Sequence, residues 1–154
     1  MAISGTTSSD MISGTGNSDT ITGLNGADTI SALGGGDVIF GNQGVDSILA
    51  AGGADTVYGG QEKDWIDGDN GDDLILGNFG DDTISAGGGA DTVYGGQDND
   101  IIFGGTGNDV IFGNLGNDTI SGGAGANTLK GGSGDDSLVG GTASDVLFGN
   151  AGND

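Results

Sequence analysis

The chain has 154 residues, a formal net charge of −21, and no Pro, Cys or His. Without Cys and His there are no disulfides, no thiolate or imidazole metal ligands, and no Ser–His or Cys–His dyad. Lys63 and Lys130 are its only basic side chains, too few to neutralise a nucleic-acid backbone, and an anionic membrane surface would repel the chain. No apolar run approaches the roughly 18 residues a spanning helix needs, so no membrane insertion is expected. Residues 1–20 show neither the charged nor the apolar region of a secretory signal peptide.

From the N-terminus onward the chain repeats every nine residues. Ala2-Ile3-Ser4 reads as a short strand with one central aliphatic. A six-residue turn follows, Gly5 to Asp10, then Met11-Ile12-Ser13, then a second turn, Gly14 to Asp19. These first turns, within residues 1–22, are degenerate, because Ser8 and Asn17 stand where later turns carry Gly. The register then runs unbroken through Asp28, Asp37, Asp46, Asp55, Asp64, Asp73, Asp82, Asp91, Asp100, Asp109, Asp118, Asn127, Asp136 and Asp145 to Asp154. Counting from Asp10, 16 of these 17 lattice positions are Asp, which leaves little room for chance. Two residues after each stands Ile, Val or Leu, from Ile12 to Leu147.

The residue types have physical reasons. Gly allows the left-handed backbone that a sharp turn requires, and Asn, found as Asn42, Asn78, Asn114 and Asn150, tolerates it next best. Side chains alternate along a strand, so the central aliphatic of each triplet points into a core and its neighbours point out. Asp supplies a hard carboxylate oxygen, which suits Ca²⁺. Glu62, Asp98 and Ala143 replace a turn Gly, and Asn127 lacks the charge, so weaker sites are expected there. Asp67 to Asp73 faintly resembles an EF-hand loop, but without the closing Glu it reads as one richer turn.

The unit G-[GN]-x-G-x-D-x-U-x, with U a large aliphatic, is clearest in Gly104-Gly105-Thr106-Gly107-Asn108-Asp109-Val110-Ile111-Phe112 and in the nine residues from Gly131 to Val139. It resembles the RTX, or haemolysin-type, calcium-binding nonapeptide repeat over the whole chain. The resemblance implies an all-β fold, a right-handed parallel β-roll with two nonapeptides per coil and about eight and a half coils, filling residues 1–154 as one uninterrupted domain. It implies Ca²⁺ between turns stacked 18 residues apart, held by the carboxylates of both turns and by turn carbonyls such as those of Gly104, Gly105, Gly107, Gly122, Gly123 and Gly125. Asp91 then pairs with Asp109, and Asp100 with Asp118, with fifteen sites at most along the chain. A thin core and dense carboxylate repulsion make the ion a requirement for folding, so the metal-free chain is expected to be unfolded.

A second period of 36 residues lies on the first. It places Thr22, Phe40, Tyr58, Leu76, Tyr94, Phe112, Lys130 and Phe148 on one outer face, one rung per coil. Phe40, Tyr58, Leu76, Tyr94, Phe112 and Phe148 are candidate interface residues, because a contiguous exposed apolar stripe suggests a contact. The first strand and the last turn would continue each other's register in a second copy. The expected function is therefore structural and not enzymatic: a calcium-folded repeat protein, secreted or on the cell surface and of bacterial type, stacking head to tail and pairing laterally with itself. Two alternatives stand beside it. One is a calcium-folding module of a larger type I-secreted toxin, protease or lipase. The other is an ice- or polysaccharide-binding ladder, which the alternating Phe and Tyr rungs argue against.

Overall fold

The computed structural model describes all residues, 1–154. Seventeen strands and no helix form two parallel sheets. The nine-stranded sheet stacks β1 (Ala2–Ser4), β3 (Thr20–Asn25), β5 (Val38–Gln43), β7 (Thr56–Gln61), β9 (Leu74–Phe79), β11 (Thr92–Gln97), β13 (Val110–Leu115), β15 (Thr128–Ser133) and β17 (Val146–Ala151) in that order. The eight-stranded sheet stacks β2 (Met11–Ser13), β4 (Thr29–Ser31), β6 (Ser47–Leu49), β8 (Trp65–Asp67), β10 (Thr83–Gly88), β12 (Ile101–Thr106), β14 (Thr119–Ala124) and β16 (Ser137–Thr142). Strict alternation between sheets, with every pairing at an 18-residue offset such as Val93↔Ile111 and Ile102↔Ile120, makes this a parallel β-roll. At ~4.8 Å per coil the roll is ~40 Å long.

The core is one column of side chains between the sheets. Ile12, Ile21 and each lattice aliphatic up to Leu129 are buried, and Ala32, Ala50 and Ala86 complete the cluster. These three Ala stand at the first turn position, where the other turns have Gly, and their methyl groups join the core.

Two sequence expectations need adjustment. Strands were expected as triplets, yet β3, β5, β7 and β9 to β17 each run six residues. In these strands the first half of the following turn continues the ladder, as in Gly96↔Asn114 and Gly105↔Gly123, because its backbone keeps pairing with the coil above and below. At the first turn position Gly has no left-handed φ; where it stands, as at Gly104, a Cβ would crowd oxygens, whereas three turns accommodate an Ala methyl. Left-handed backbone occurs at the second and fourth turn positions, for example Gly105 (φ 97°) and Gly107 (φ 134°), and at the second it extends to Asn42 (φ 79°) and Asn78 (φ 79°).

The outer ladder forms on the nine-stranded sheet as expected, but its members cover one another. Phe40 stacks on Tyr58 with ring centroids 5.0 Å apart, and Tyr94 on Phe112 at 4.7 Å. The Lys130 ammonium lies 4.8 Å from the Phe112 ring and 6.0 Å from that of Phe148. Of the six candidate interface residues only Phe148 is exposed, at 48 %. The eight-stranded sheet carries Trp65 and Phe103 at 45 % and 47 % exposure, because no aromatic partner stands on the adjacent rungs.

Candidate metal centres along the two edges

Each coil crosses from one sheet to the other through a turn ending in a lattice residue. Alternation therefore lines the lattice carboxylates up in two rows, one per edge. Within a row each backbone N–H donates to the Oδ1 of the lattice residue 18 positions later. Asp28 donates to Asp46 at 2.8 Å, Asp64 to Asp82 at 2.8 Å, Asp91 to Asp109 at 3.1 Å and Asp118 to Asp136 at 2.9 Å. The expected pairs, Asp91 with Asp109 and Asp100 with Asp118, are thus neighbours in these rows.

Only one oxygen of each carboxylate is used this way. In the lattice Asp residues from Asp28 to Asp118, and in Asp136, Oδ2 is buried and has no hydrogen-bond partner. A buried acceptor without a donor is costly, more so when charged. Its neighbourhood makes this worse. Beside Gly104, the point where a Cβ would stand lies 2.6 Å from Asp109 Oδ2 and 2.6 Å from the Gly122 carbonyl oxygen. Beside Gly59 the same point lies 2.6 Å from Asp64 Oδ2 and 2.9 Å from the Gly77 carbonyl oxygen. An anionic oxygen and a carbonyl of the next coil therefore converge on one spot, against a Gly Cα that leaves it open. Such a site favours a cation, and its all-oxygen donor set fits Ca²⁺.

The electrostatics agree. Burial, opposed by the backbone N–H and reinforced by neighbouring carboxylates, pushes Asp64 and Asp100 up to about 8 and Asp73 to about 7. Burial likewise raises Asp82 to about 7 and Asp46 and Asp91 to about 6. Asp55, Asp109 and Asp118 are raised for the same first reason. In a row of this kind the charged form is penalised until a cation compensates it.

The other sequence-selected residues fall as follows. Gly104 and Gly122 flank the convergent oxygens, while Gly105, Gly107, Gly123 and Gly125 are the left-handed residues of their turns. Asp37, Asp55 and Asp73 lie in the same row as Asp109 and make the same N–H to Oδ1 bonds, although the turns of Asp37 and Asp55 open on Ala32 and Ala50; Asp145 accepts from the Asn127 N–H at 2.9 Å. Glu62 and Asp98 adopt the left-handed φ of the Gly they replace, 75° and 74°, and the following Asp64 and Asp100 keep a partnerless Oδ2.

Three lattice residues differ. Asp10 Oδ2 accepts from the Thr6 N–H and hydroxyl at 2.6 and 2.8 Å. Asp19 Oδ2 accepts from the same two groups of Thr15, both at 2.7 Å, and its Oδ1 lies 2.7 Å from the N-terminal ammonium, which holds its carboxyl below the usual range. Asn127 Oδ1 accepts from Asp109 N–H at 2.9 Å, while its Nδ2 donates to the carbonyls of Gly125 at 3.2 Å and Gly140 at 3.5 Å.

A second row, outside the first, was not anticipated. The residue before the lattice position reaches forward to the next coil: Asp81 Oδ1 accepts from Asn99 N–H, Asn99 Oδ1 from Asn117, Asn117 Oδ1 from Asp135, and Asp135 Oδ1 from Asn153, at 2.7–2.9 Å. Asp72 and Asn108 do the same on the other edge. The 18-residue recurrence of Asp or Asn just before the lattice residue was the available signal. The Asn99 donors hold Asp81 below the usual carboxylate range.

The pattern of the RTX calcium-binding nonapeptide repeat matches residues 4–39, 31–66, 40–75, 58–93, 67–102, 94–129 and 130–154. Among curated proteins no match is found. RTX repeats are typical of secreted bacterial proteins. When bound, the ion supplies the positive charge that the convergent oxygens need; the Asp rows, the turn carbonyls and the open Gly positions are the chain's own contribution. Matched over nearly its whole length and built as two rows of partnerless buried carboxylates, the chain belongs to the RTX calcium-binding nonapeptide repeat family and is a calcium-binding repeat protein.

Proposed function

We propose that this protein is a calcium-gated structural roll that works outside the cell, folds where calcium is abundant, and then associates with copies of itself. The partnerless Oδ2 rows carry the first half of this reading. A chain that buries so many carboxylates against carbonyl oxygens has little reason to fold at neutral pH without the ion, so binding and folding are one event. A low-calcium interior and a calcium-rich exterior would then keep it extended during export and fold it afterwards.

Self-association is supported by the outer face of the eight-stranded sheet, where the exposed Trp65 and Phe103 offer a lateral contact to a second copy. Electron microscopy and light scattering in millimolar Ca²⁺, then in chelator, test the proposal. Filaments or oligomers that vanish with chelator support it, whereas a folded monomer in calcium removes the assembly half. A strand-rich circular dichroism spectrum in chelator at neutral pH removes the gating half.

A further inference from the structure

Nine turns on one edge and eight on the other leave fifteen spaces between stacked turns. We infer that only twelve of these bind calcium, and that Asp10, Asp19 and Asn127 make three rungs that the chain closes with its own hydrogen-bond donors. The inference rests on calcium binding by the repeats and not on self-assembly.

Asn127 is the clearest case. The Asp109 N–H needs an acceptor, so Oδ1 must face it and Nδ2 must take the second place. Beside Gly122 the point where a Cβ would stand lies 2.7 Å from Asn127 Nδ2 and 2.6 Å from the Gly140 carbonyl oxygen. At Gly104 the corresponding distances are 2.6 Å to Asp109 Oδ2 and 2.6 Å to the Gly122 carbonyl oxygen. The geometry is the same, but an amide N–H₂ has replaced a carboxylate oxygen. It donates to the carbonyls of Gly125 and Gly140, the second of which stands where the Gly122 carbonyl faces the Asp109 carboxylate in the preceding rung. What is repulsive in the other rungs is attractive here, and no cation is required.

Asp10 and Asp19 reach the same result by another route. Thr6 and Thr15 occupy the second turn position, where later turns have a left-handed residue. A β-branched side chain resists positive φ, and neither Thr adopts it. The turn instead directs the Thr N–H and hydroxyl to Oδ2 of its own lattice Asp. The oxygen that would face an ion is already satisfied. The twelve remaining spaces correspond one to one with the twelve partnerless Oδ2 atoms.

Native mass spectrometry of the full chain titrated to saturation with CaCl₂ counts the ions. The expected counts are twelve for the wild type, thirteen for Asn127→Asp and eleven for Asp91→Asn, which builds a second amide rung. Circular dichroism in calcium checks that each variant is folded. Should Asn127→Asp fail to fold, Asp91→Asn carries the test alone, with one ion lost and the fold kept. A wild-type count of fifteen, or equal counts for the wild type and a folded Asn127→Asp variant, overturns the assignment of the three rungs. Binding of no calcium at all would overturn the calcium reading itself, a distinguishable result.

Discussion

In the calcium-free chain, protons should do part of the work of the ion. Asp64 and Asp100 titrate at about 8 in the folded roll and Asp73 and Asp82 at about 7, all raised first by burial. An unfolded Asp titrates near ~3.9. At a pH of about 5.5 these four groups are protonated in the fold and ionised in the unfolded chain, so folding takes up about four protons. The sign follows: between the unfolded and folded values the native state binds more protons, and stability falls as pH rises. Stability from these groups is fully present below ~3.9 and lost as pH climbs through 6 to 8. The perturbation is acidification of protein stripped of calcium, from pH 8 to pH 5, followed by far-ultraviolet circular dichroism. Strand signal should grow as pH falls, with a midpoint steep enough to report several protons. Calcium affinity should move the opposite way, because ions and protons compete for the same oxygens. A calcium-free strand signal that stays flat or shrinks from pH 8 to pH 5 would refute the argument that buried, uncompensated carboxylates hold the roll open.

Other outcomes test the packing. Ile75 is fully buried between the Val57 and Val93 rungs, so Ile75→Ala should cost about 2–5 kcal/mol in saturating calcium, read from the denaturant midpoint. Gly107 is left-handed at φ 134° and a Cβ there would collide with the Gly89 carbonyl, whereas Gly16 faces open space. Gly107→Ala should therefore lower stability by more than about 1 kcal/mol and Gly16→Ala should be near neutral, although the chemical change is identical. Phe112→Ala removes the stack on Tyr94 and the ring under Lys130, and should cost about 1–2 kcal/mol by thermal melting. Equal melting of Phe112→Ala and the wild type would mean that the ladder contributes nothing to the monomer.

The nine-residue period was legible in the sequence because it is unbroken, with an aliphatic two residues after every lattice position from Ile12 to Leu147. The parallel roll and the 18-residue pairing of its candidate ligands came from the resemblance to the RTX repeat that this period carries, not from the spacing itself. Contacts set by atoms rather than by spacing were not legible. Asp and Asn differ by one group, so the exchange of repulsion for attraction at Asn127 needed the positions of Gly125 and Gly140. Nothing in the spacing marks Thr15, whose N–H and hydroxyl both donate to Asp19. Gly at the first turn position was read as backbone freedom, yet its φ is ordinary there, and what differs between turns is whether oxygens or an Ala methyl fill the place of a Cβ. The ladder of Phe40, Tyr58, Tyr94 and Phe112 looked exposed because alternation fixes the face of a side chain but not how far its neighbours cover it.

Asn127 also bears on why the rows are acidic at all. With its amide the chain holds two coils together without an ion, and the neighbouring backbone needs no rearrangement, since Asp109 and Asp145 keep their hydrogen bonds across that rung. An all-Asn lattice would therefore be a metal-free solution to the same fold, one atom away at each position. The chain uses it once in 17 lattice positions and Asp in the other 16. Each Asp makes its rung worse in the absence of a cation, through burial and through the charge of its neighbours. In a solenoid each coil touches only the next, so a penalty at every rung accumulates along the whole roll and cannot be absorbed by a distant core. A lattice that declines the cheaper amide at nearly every step makes the folded state conditional on calcium, and that conditionality is the property on which the proposed function depends.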